Sequence, residues 1–437
     1  MSSQAPRTLP EAVVTGLSHD GRGVGRHEGQ VVFIDNALPG ERVRFRPGKK
    51  RRKVLSATVD AILEPSPDRV TPECRYFGTC GGCALQHLDP PSQLAHKHRQ
   101  LVDNLERLAK VEADEYLAPV EASPWHYRRK ARLGIRYVPK KGGVLVGFRE
   151  RHKSYITSLA ACLVLERRLS DLLPGLHDLV AGLSCFDRIP QIEVAAGDNA
   201  AALVFRHLVP LTNADHERLV RFGKEHDVWM LLQPAGLESI HALWPEDAGL
   251  LYYGIDGDIR IGFGPADFVQ VNGEQNAKLV QQALDLLAPG PDDAVLDLFC
   301  GVGNFTLPLA RRAGRITAVE GDSRLVQRAT DNARANGFDN VETLVGDLYA
   351  EELTGRWIDS SFSCLLLDPP RSGALEVVKR IPDISPQRIV YISCNPATLA
   401  RDAEILVRKH GYRLRRAGVV DMFPHTTHVE SIALFDL

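Results

Sequence analysis

A chain of 437 residues with 44% apolar side chains is long enough for two or three domains with real cores. A formal net charge of −2 announces no gross electrostatic partner, and no apolar run approaches membrane-spanning length. The N-terminal MSSQAPRTLPEA lacks an apolar signal core, so the chain reads as cytoplasmic, where eight cysteines are expected to act as ligands, nucleophiles or packing rather than as disulfides.

From Glu11 to Leu63, short β-branched runs alternate with Gly and Pro turns, which predicts a small all-β barrel. Its last third holds RVRFRPGKKRRK (Arg42–Lys53), a basic run with no acid in it. EPSPDRVTPE closes the barrel as a linker. CRYFGTCGGC follows, with Cys74, Cys80 and Cys83 at C-x5-C-x2-C spacing. That spacing indicates a metal, with zinc and iron–sulfur both open and a fourth ligand required; Cys162 in SLAACLVL is the candidate. Helical spacing of Leu94, Leu101, Leu105 and Leu108 predicts a helix over Gln93–Leu108.

A mixed middle region comes next. It is strand-rich around Ala131–Phe148, and QIEVAAGDNAAALVFRHL reads as a hairpin. Its start, WHYRRKARLGIRYVPKKGG, interleaves cations with aromatics, a pattern that suits RNA backbone and stacked bases. From about Gly273 short apolar strands alternate with amphipathic helices, which predicts a doubly wound parallel sheet of Rossmann-like type.

Within that sheet, AVLDLFCGVGNF runs from a buried strand through Gly301 and Gly303 into a helix. The third glycine of a dinucleotide fingerprint is missing, and Asp297 precedes the turn, where a negative charge suits an ammonium better than a phosphate. S-adenosylmethionine is therefore preferred to a nicotinamide dinucleotide. Glu320, ending ITAVE, suits a ribose diol, and Asp347 in VGD can meet the adenine amine. LLLDPPRSG places Asp368 at the same sheet edge, with Arg371 where amino methyltransferases carry an aromatic. YISCNP brings Cys394 to that edge one loop further on. A thiolate there has a use, because adding it to carbon 6 of uracil makes carbon 5 nucleophilic toward a methyl donor. A base must then remove the carbon 5 proton. Glu430 is the candidate, with His425 and His428 as alternatives. Cys300, Cys185 and Cys364 are expected to pack in the core.

DLFCGVGNF, LLLDPPRSG, YISCNP and HVE, in this order and led by FVQVN (Phe268–Asn272), resemble the RNA 5-methyluridine methyltransferases. The resemblance implies Cys394 as nucleophile and Glu430 as base, with Gln270, Phe299, Asn304, Glu320, Asp347 and Asp368 around S-adenosylmethionine. The front end resembles an RNA-binding TRAM domain, and the cysteine cluster is similar to that of the 23S ribosomal RNA branch. That branch implies a [4Fe–4S] cluster on Cys74, Cys80, Cys83 and Cys162. The implied organisation is a barrel over 1–67, an α+β central iron–sulfur domain over 68–88 and 122–266, and a methyltransferase domain over 89–121 and 267–437. The implied substrate is a uridine flipped out of 23S ribosomal RNA, with neither a membrane nor an obligate protein partner. The competing readings are a transfer RNA enzyme and a non-catalytic RNA-binding protein.

Overall fold

The computed structural model describes residues 9–51, 54–121, 123–358 and 360–437. The N-terminal segment before Leu9, and Arg52 and Lys53 of the basic run, lie outside the described residues. The chain forms two compact units. One comprises the residues up to Ala95 with Arg149–Tyr155 and His425–Thr427; the other comprises His96–Phe148, Ile156–Pro424 and His428–Leu437.

The first unit holds a closed five-stranded barrel, Glu11–Leu17, Gly23–His27, Gln30–Asp35, Arg42–Arg51 and Val54–Glu64. Alternate residues point inward, and Val14, Val32, Ile34, Val43, Phe45 and Ala57 fill the interior. The basic run differs from its linear reading. Three of its arginines are paired with acids on neighbouring strands: Arg42 meets Glu11 at 3.2 Å and Glu64 at 2.8 Å, Arg44 meets Glu11 at 3.3 Å, and Arg46 meets Asp60 at 2.7 Å.

The predicted helix after the cysteines begins as an α-helix at Pro90–Asp103 and continues as a π-helix over Asn104–Ala109. The wider turn rotates the side chains beyond Leu105. Leu94, Leu101 and Leu105 are buried as expected, but Leu108 is exposed and Ala109 takes the inner face.

A seven-stranded sheet carries the middle region. Gln191–Ala196 and Ala201–Arg206 form the predicted antiparallel hairpin at its centre. The eight-stranded sheet runs in the order Val341–Val345, Arg315–Glu320, Ala294–Leu298, Cys364–Leu367, Arg388–Ser393, Glu430–Asp436, Arg413–Val420 and Glu115–Tyr116. The first five are parallel, as predicted; the edge strand Val341–Val345 is only partly covered, and the other four are buried on both faces. The last two long strands break the parallel pattern: Glu430–Asp436 lies antiparallel to both its neighbours. Ala294–Leu298 sits between Arg315–Glu320 and Cys364–Leu367, so the chain winds to opposite sides of it and opens a crevice at the carboxyl edge.

Candidate active site

The loops at that edge enclose a cavity of about 570 Å³. Its walls include Gln270, Phe299, Asn304, Glu320, Asp347, Asp368, Cys394 and Glu430, so every cofactor and catalytic residue expected from the sequence faces one space. All of these belong to the second compact unit.

The first glycine turn is shaped by backbone. Phe299, Gly301 and Gly303 have φ of 66°, 55° and 96°. A side chain at Gly303 would strike Leu307, whereas one at Gly301 would project into open space. The Phe299 and Cys300 N–H groups donate to the Val319 carbonyl at 2.9 and 3.2 Å, which ties the turn to the second strand. Glu320 ends that strand and accepts from the Gly301 N–H at 3.2 Å, the Gly321 N–H at 2.7 Å and the Asp322 N–H at 3.0 Å. Its carboxylate is thus fixed before any ligand arrives. Asn304 is locked by a reciprocal amide pair with Asn276, at 2.7 and 2.9 Å, and accepts from the Tyr253 hydroxyl at 2.9 Å.

Asp297 departs from its expected place. It is fully buried under the turn, accepts from Thr306 Oγ1 at 2.5 Å, and does not line the cavity. It stands on the central strand, where both faces are covered. Burial pushes its carboxyl up to about 7. Cys300, Cys185 and Cys364 are buried, as expected of packing cysteines.

The reaction edge is built from strand register. Ser393 pairs with Ser431 across the antiparallel strands, and Ser431 Oγ donates to the Ser393 carbonyl at 3.0 Å. Cys394 and Glu430 are the next positions outward, so the sheet itself sets the thiol beside the carboxyl. YISCNP then resolves as a strand, a thiol and a helix start. Asn395 caps the helix Pro396–Arg408 by accepting from the Ala397 N–H at 3.2 Å, and Pro396 occupies its first position. Asn395 Nδ2 also donates to the Arg371 carbonyl at 3.0 Å, which joins the Asp368 loop to the Cys394 loop.

Burial and the neighbouring Glu430 push the Cys394 thiol up to about 11, with Arg371 opposing them. Burial raises Glu430 well above the usual carboxyl range and raises Asp368 to about 7. His428, at the mouth, accepts from Arg371 Nη2 at 2.7 Å through Nδ1. Enclosure and Arg371 hold its imidazole down at about 4, so it is neutral near pH 7. His425 does not line the cavity; it is buried among the residues of the first unit, where it bonds to Gln93.

Wall residues not singled out from the sequence include Arg128, Tyr253, Phe268, Tyr349 and Phe423. Phe268 is 70% exposed and Tyr349 47% exposed although both are aromatic. The FVQVN motif already contained the signal for Phe268, since an aromatic beside Gln270 on a loop has no core to fill.

The cysteine loop lies in the first unit and Cys162 in the second. The Gly82 N–H points at Cys80 Sγ at 3.4 Å, and Cys74 N–H donates to Gln86 Oε1 at 3.3 Å. Among the described residues, no three His, Cys, Asp or Glu side chains are gathered as a metal site.

The family described as tRNA (Uracil-5-)-methyltransferase matches residues 258–436, and the TRAM domain matches residues 10–59. The chain is 51% identical over 432 residues to the 23S rRNA (uracil(1939)-C(5))-methyltransferase RlmD of Alkalilimnicola ehrlichii, a match covering 98% of this chain and 97% of that protein. The chain belongs to the RNA uracil-C5 methyltransferase family. The RlmD protein of Nitrosococcus oceani is 50% identical over 436 residues, covering 99% of this chain and 97% of its own. Among solved structures, the Pyrococcus abyssi tRNA (uracil-54, C5)-methyltransferase in complex with S-adenosyl-L-homocysteine shares this family fold. Its TM-score is 0.74 at 22% identity, over 97% of this chain and 100% of that one.

Proposed function

We propose that this chain methylates carbon 5 of a uridine in 23S ribosomal RNA, giving 5-methyluridine, with S-adenosylmethionine as methyl donor. The observation that carries the reading is the Ser393–Ser431 register, which sets Cys394 beside Glu430 in a cavity also walled by Glu320 and Asp347. The wall suits the donor: its acids match a cationic ligand, and Gly301 leaves space where a side chain would stand. In this reading Glu320 takes the ribose diol, Asp347 the adenine amine, and Gln270, Phe299, Asn304 and Asp368 complete the cradle. When bound, S-adenosylmethionine supplies a methyl group as a cation equivalent.

The chain's own residues do the rest. The Cys394 thiol proton passes to solvent as Sγ bonds to carbon 6 of the uracil, and the electron pair of the 5,6 double bond becomes available at carbon 5. Carbon 5 takes the methyl group. Glu430, its own proton passed to solvent beforehand, accepts the carbon 5 proton; the released electron pair reforms the double bond as the sulfur leaves as a thiolate, which regains a proton from solvent. The target must be extruded from its stack to reach both groups, and Phe268 and Tyr349 offer exposed rings beside the cavity. The barrel and the basic middle region grip the flanking RNA.

We assign residues 89–121 with 267–437 to the methyltransferase domain, a split supported by Glu115–Tyr116 pairing with Arg413–Val420 in its sheet. Residues 68–88 and 122–266 form the central domain. There Cys74, Cys80, Cys83 and Cys162 hold a [4Fe–4S] cluster with a structural role; their spacing and the Gly82 N–H···Sγ bond support it. Iron and acid-labile sulfide in anaerobically purified protein, lost in Cys83→Ser, test that assignment; equal metal content in both proteins sinks it. The reaction belongs in the cytoplasm and needs no second protein, so purified enzyme alone is expected to suffice.

The deciding experiment uses a 23S fragment carrying 5-fluorouridine, whose fluorine a base cannot remove. Wild type should form a methylated covalent adduct stable on a denaturing gel, and Cys394→Ala none. Adduct on a transfer RNA probe but not on the 23S fragment would reassign the substrate.

A further inference from the structure

The chain reaches Glu430 through a strap, Asp421–Pro424, and then His428. Phe423, His428 and Glu430 all face the cavity. Three successive strap carbonyls are each held by a side chain from a different part of the second unit. Asn272 Nδ2 donates to the Met422 carbonyl at 3.4 Å, Lys97 Nζ to the Phe423 carbonyl at 2.8 Å, and the Tyr127 hydroxyl to the Pro424 carbonyl at 2.9 Å. Lys97 Nζ also donates to Asp421 Oδ1 at 2.6 Å.

Lys97 is fully buried and Asp421 is 9% exposed. A buried ammonium is costly, and an apolar side chain of similar volume would fill the space without that cost. What an apolar chain cannot do is fix a carboxylate and a carbonyl at once, with directional bonds, two residues apart on a strap. No step of methyl transfer uses Lys97, and it does not line the cavity.

We infer that Lys97, with Asp421 and Tyr127, is a positioning residue that sets the strap and through it the carboxylate of Glu430 for removal of the carbon 5 proton. The inference rests on Glu430 being the base. It predicts a specific defect. Addition of Cys394 to carbon 6 and methylation of carbon 5 do not need Glu430 in its final place. Breaking the Cys394–carbon 6 bond does, because the carbon 5 proton must leave in the same step. A loosened strap therefore stalls the enzyme after methylation.

The test compares wild type, Lys97→Met, Tyr127→Phe and Glu430→Gln on an ordinary 23S fragment with S-adenosylmethionine. Each is resolved on a denaturing gel, alongside a measurement of S-adenosylmethionine affinity. Lys97→Met is expected to accumulate methylated protein–RNA adduct on unmodified uridine, to lose turnover by about 10- to 100-fold, and to bind S-adenosylmethionine as wild type does. Tyr127→Phe, which removes one bond and little volume, is expected to accumulate less adduct, and it decides the matter if Lys97→Met does not fold. Slow turnover with no adduct, or a parallel loss of S-adenosylmethionine affinity, would mean that Lys97 is only structural. If Glu430→Gln itself accumulates no adduct, Glu430 is not the base and the inference falls with that reading. Adduct with Glu430→Gln but with neither strap variant overturns the inference alone.

Discussion

Two edges of one cavity treat the same side chain in opposite ways. On the cofactor edge Glu320 is partly open and takes three backbone N–H groups, two from its own turn and one from Gly301 in the glycine turn. On the reaction edge Glu430 is 3% exposed, and burial raises its carboxyl well above the usual range. The first arrangement holds the carboxyl group in one place, ready to bind. The second disfavours the charged form by burial. Binding and proton transfer thus need the same residue type in different dielectric settings.

Substitutions can break that contrast, beginning on the reaction edge. Cys394→Ala should lower methylation by about 10³-fold or more, because the covalent route is gone; transfer of labelled methyl groups to RNA measures it. Glu430→Gln should lower turnover by about 10²- to 10⁴-fold while still permitting one methylation per enzyme, read as a burst without turnover. On the cofactor edge Glu320→Gln should weaken S-adenosylmethionine binding by about 10- to 100-fold and leave saturated turnover nearly unchanged, which calorimetry and kinetics separate. An equal loss of turnover would erase the distinction between the edges.

The smallest effect concerns stability. Asp368 titrates at about 7 in the folded protein, above its ordinary 3.8. Between those values the folded state holds the proton that the unfolded chain releases. Stability of the ligand-free enzyme therefore falls as pH rises through that window, and flattens above about 7. Asp368→Asn should remove this part of the fall, gaining about 1–2 kcal/mol at pH 8 relative to pH 4 after allowance for partial exposure. Melting temperatures of both proteins at the two pH values test the sign.

Much of the catalytic unit was legible in the sequence because its signals are local. A strand that ends in a glycine turn, or in Asp-Pro-Pro, places its own side chains at the sheet edge. Signals that depend on partners far along the chain were not legible. Arg42, Arg44 and Arg46 read as a free basic run, yet their acids stand on other strands. Asp297 read as a ligand acid, yet Thr306 and the covering layers claim it. Leu108 fits the apolar spacing of an α-helix but not the π-helical turn that forms there. Lys97 carried no signal, because a lysine inside an amphipathic helix reads as a solvated face until the segment Asp421–Pro424 folds over it.

The pairing of Ser393 with Ser431 also bears on how the enzyme comes into being. Strand pairing has a period of two, so a slip by one residue would turn every side chain of the last strand to the wrong face. It would also bring Val429 or Ser431, rather than Glu430, opposite Cys394. A misaligned molecule could be compact and still unable to finish a single turnover. Active-site titration counts only chains whose last strand found its correct neighbour, so the catalytic step doubles as a proofreading readout of folding.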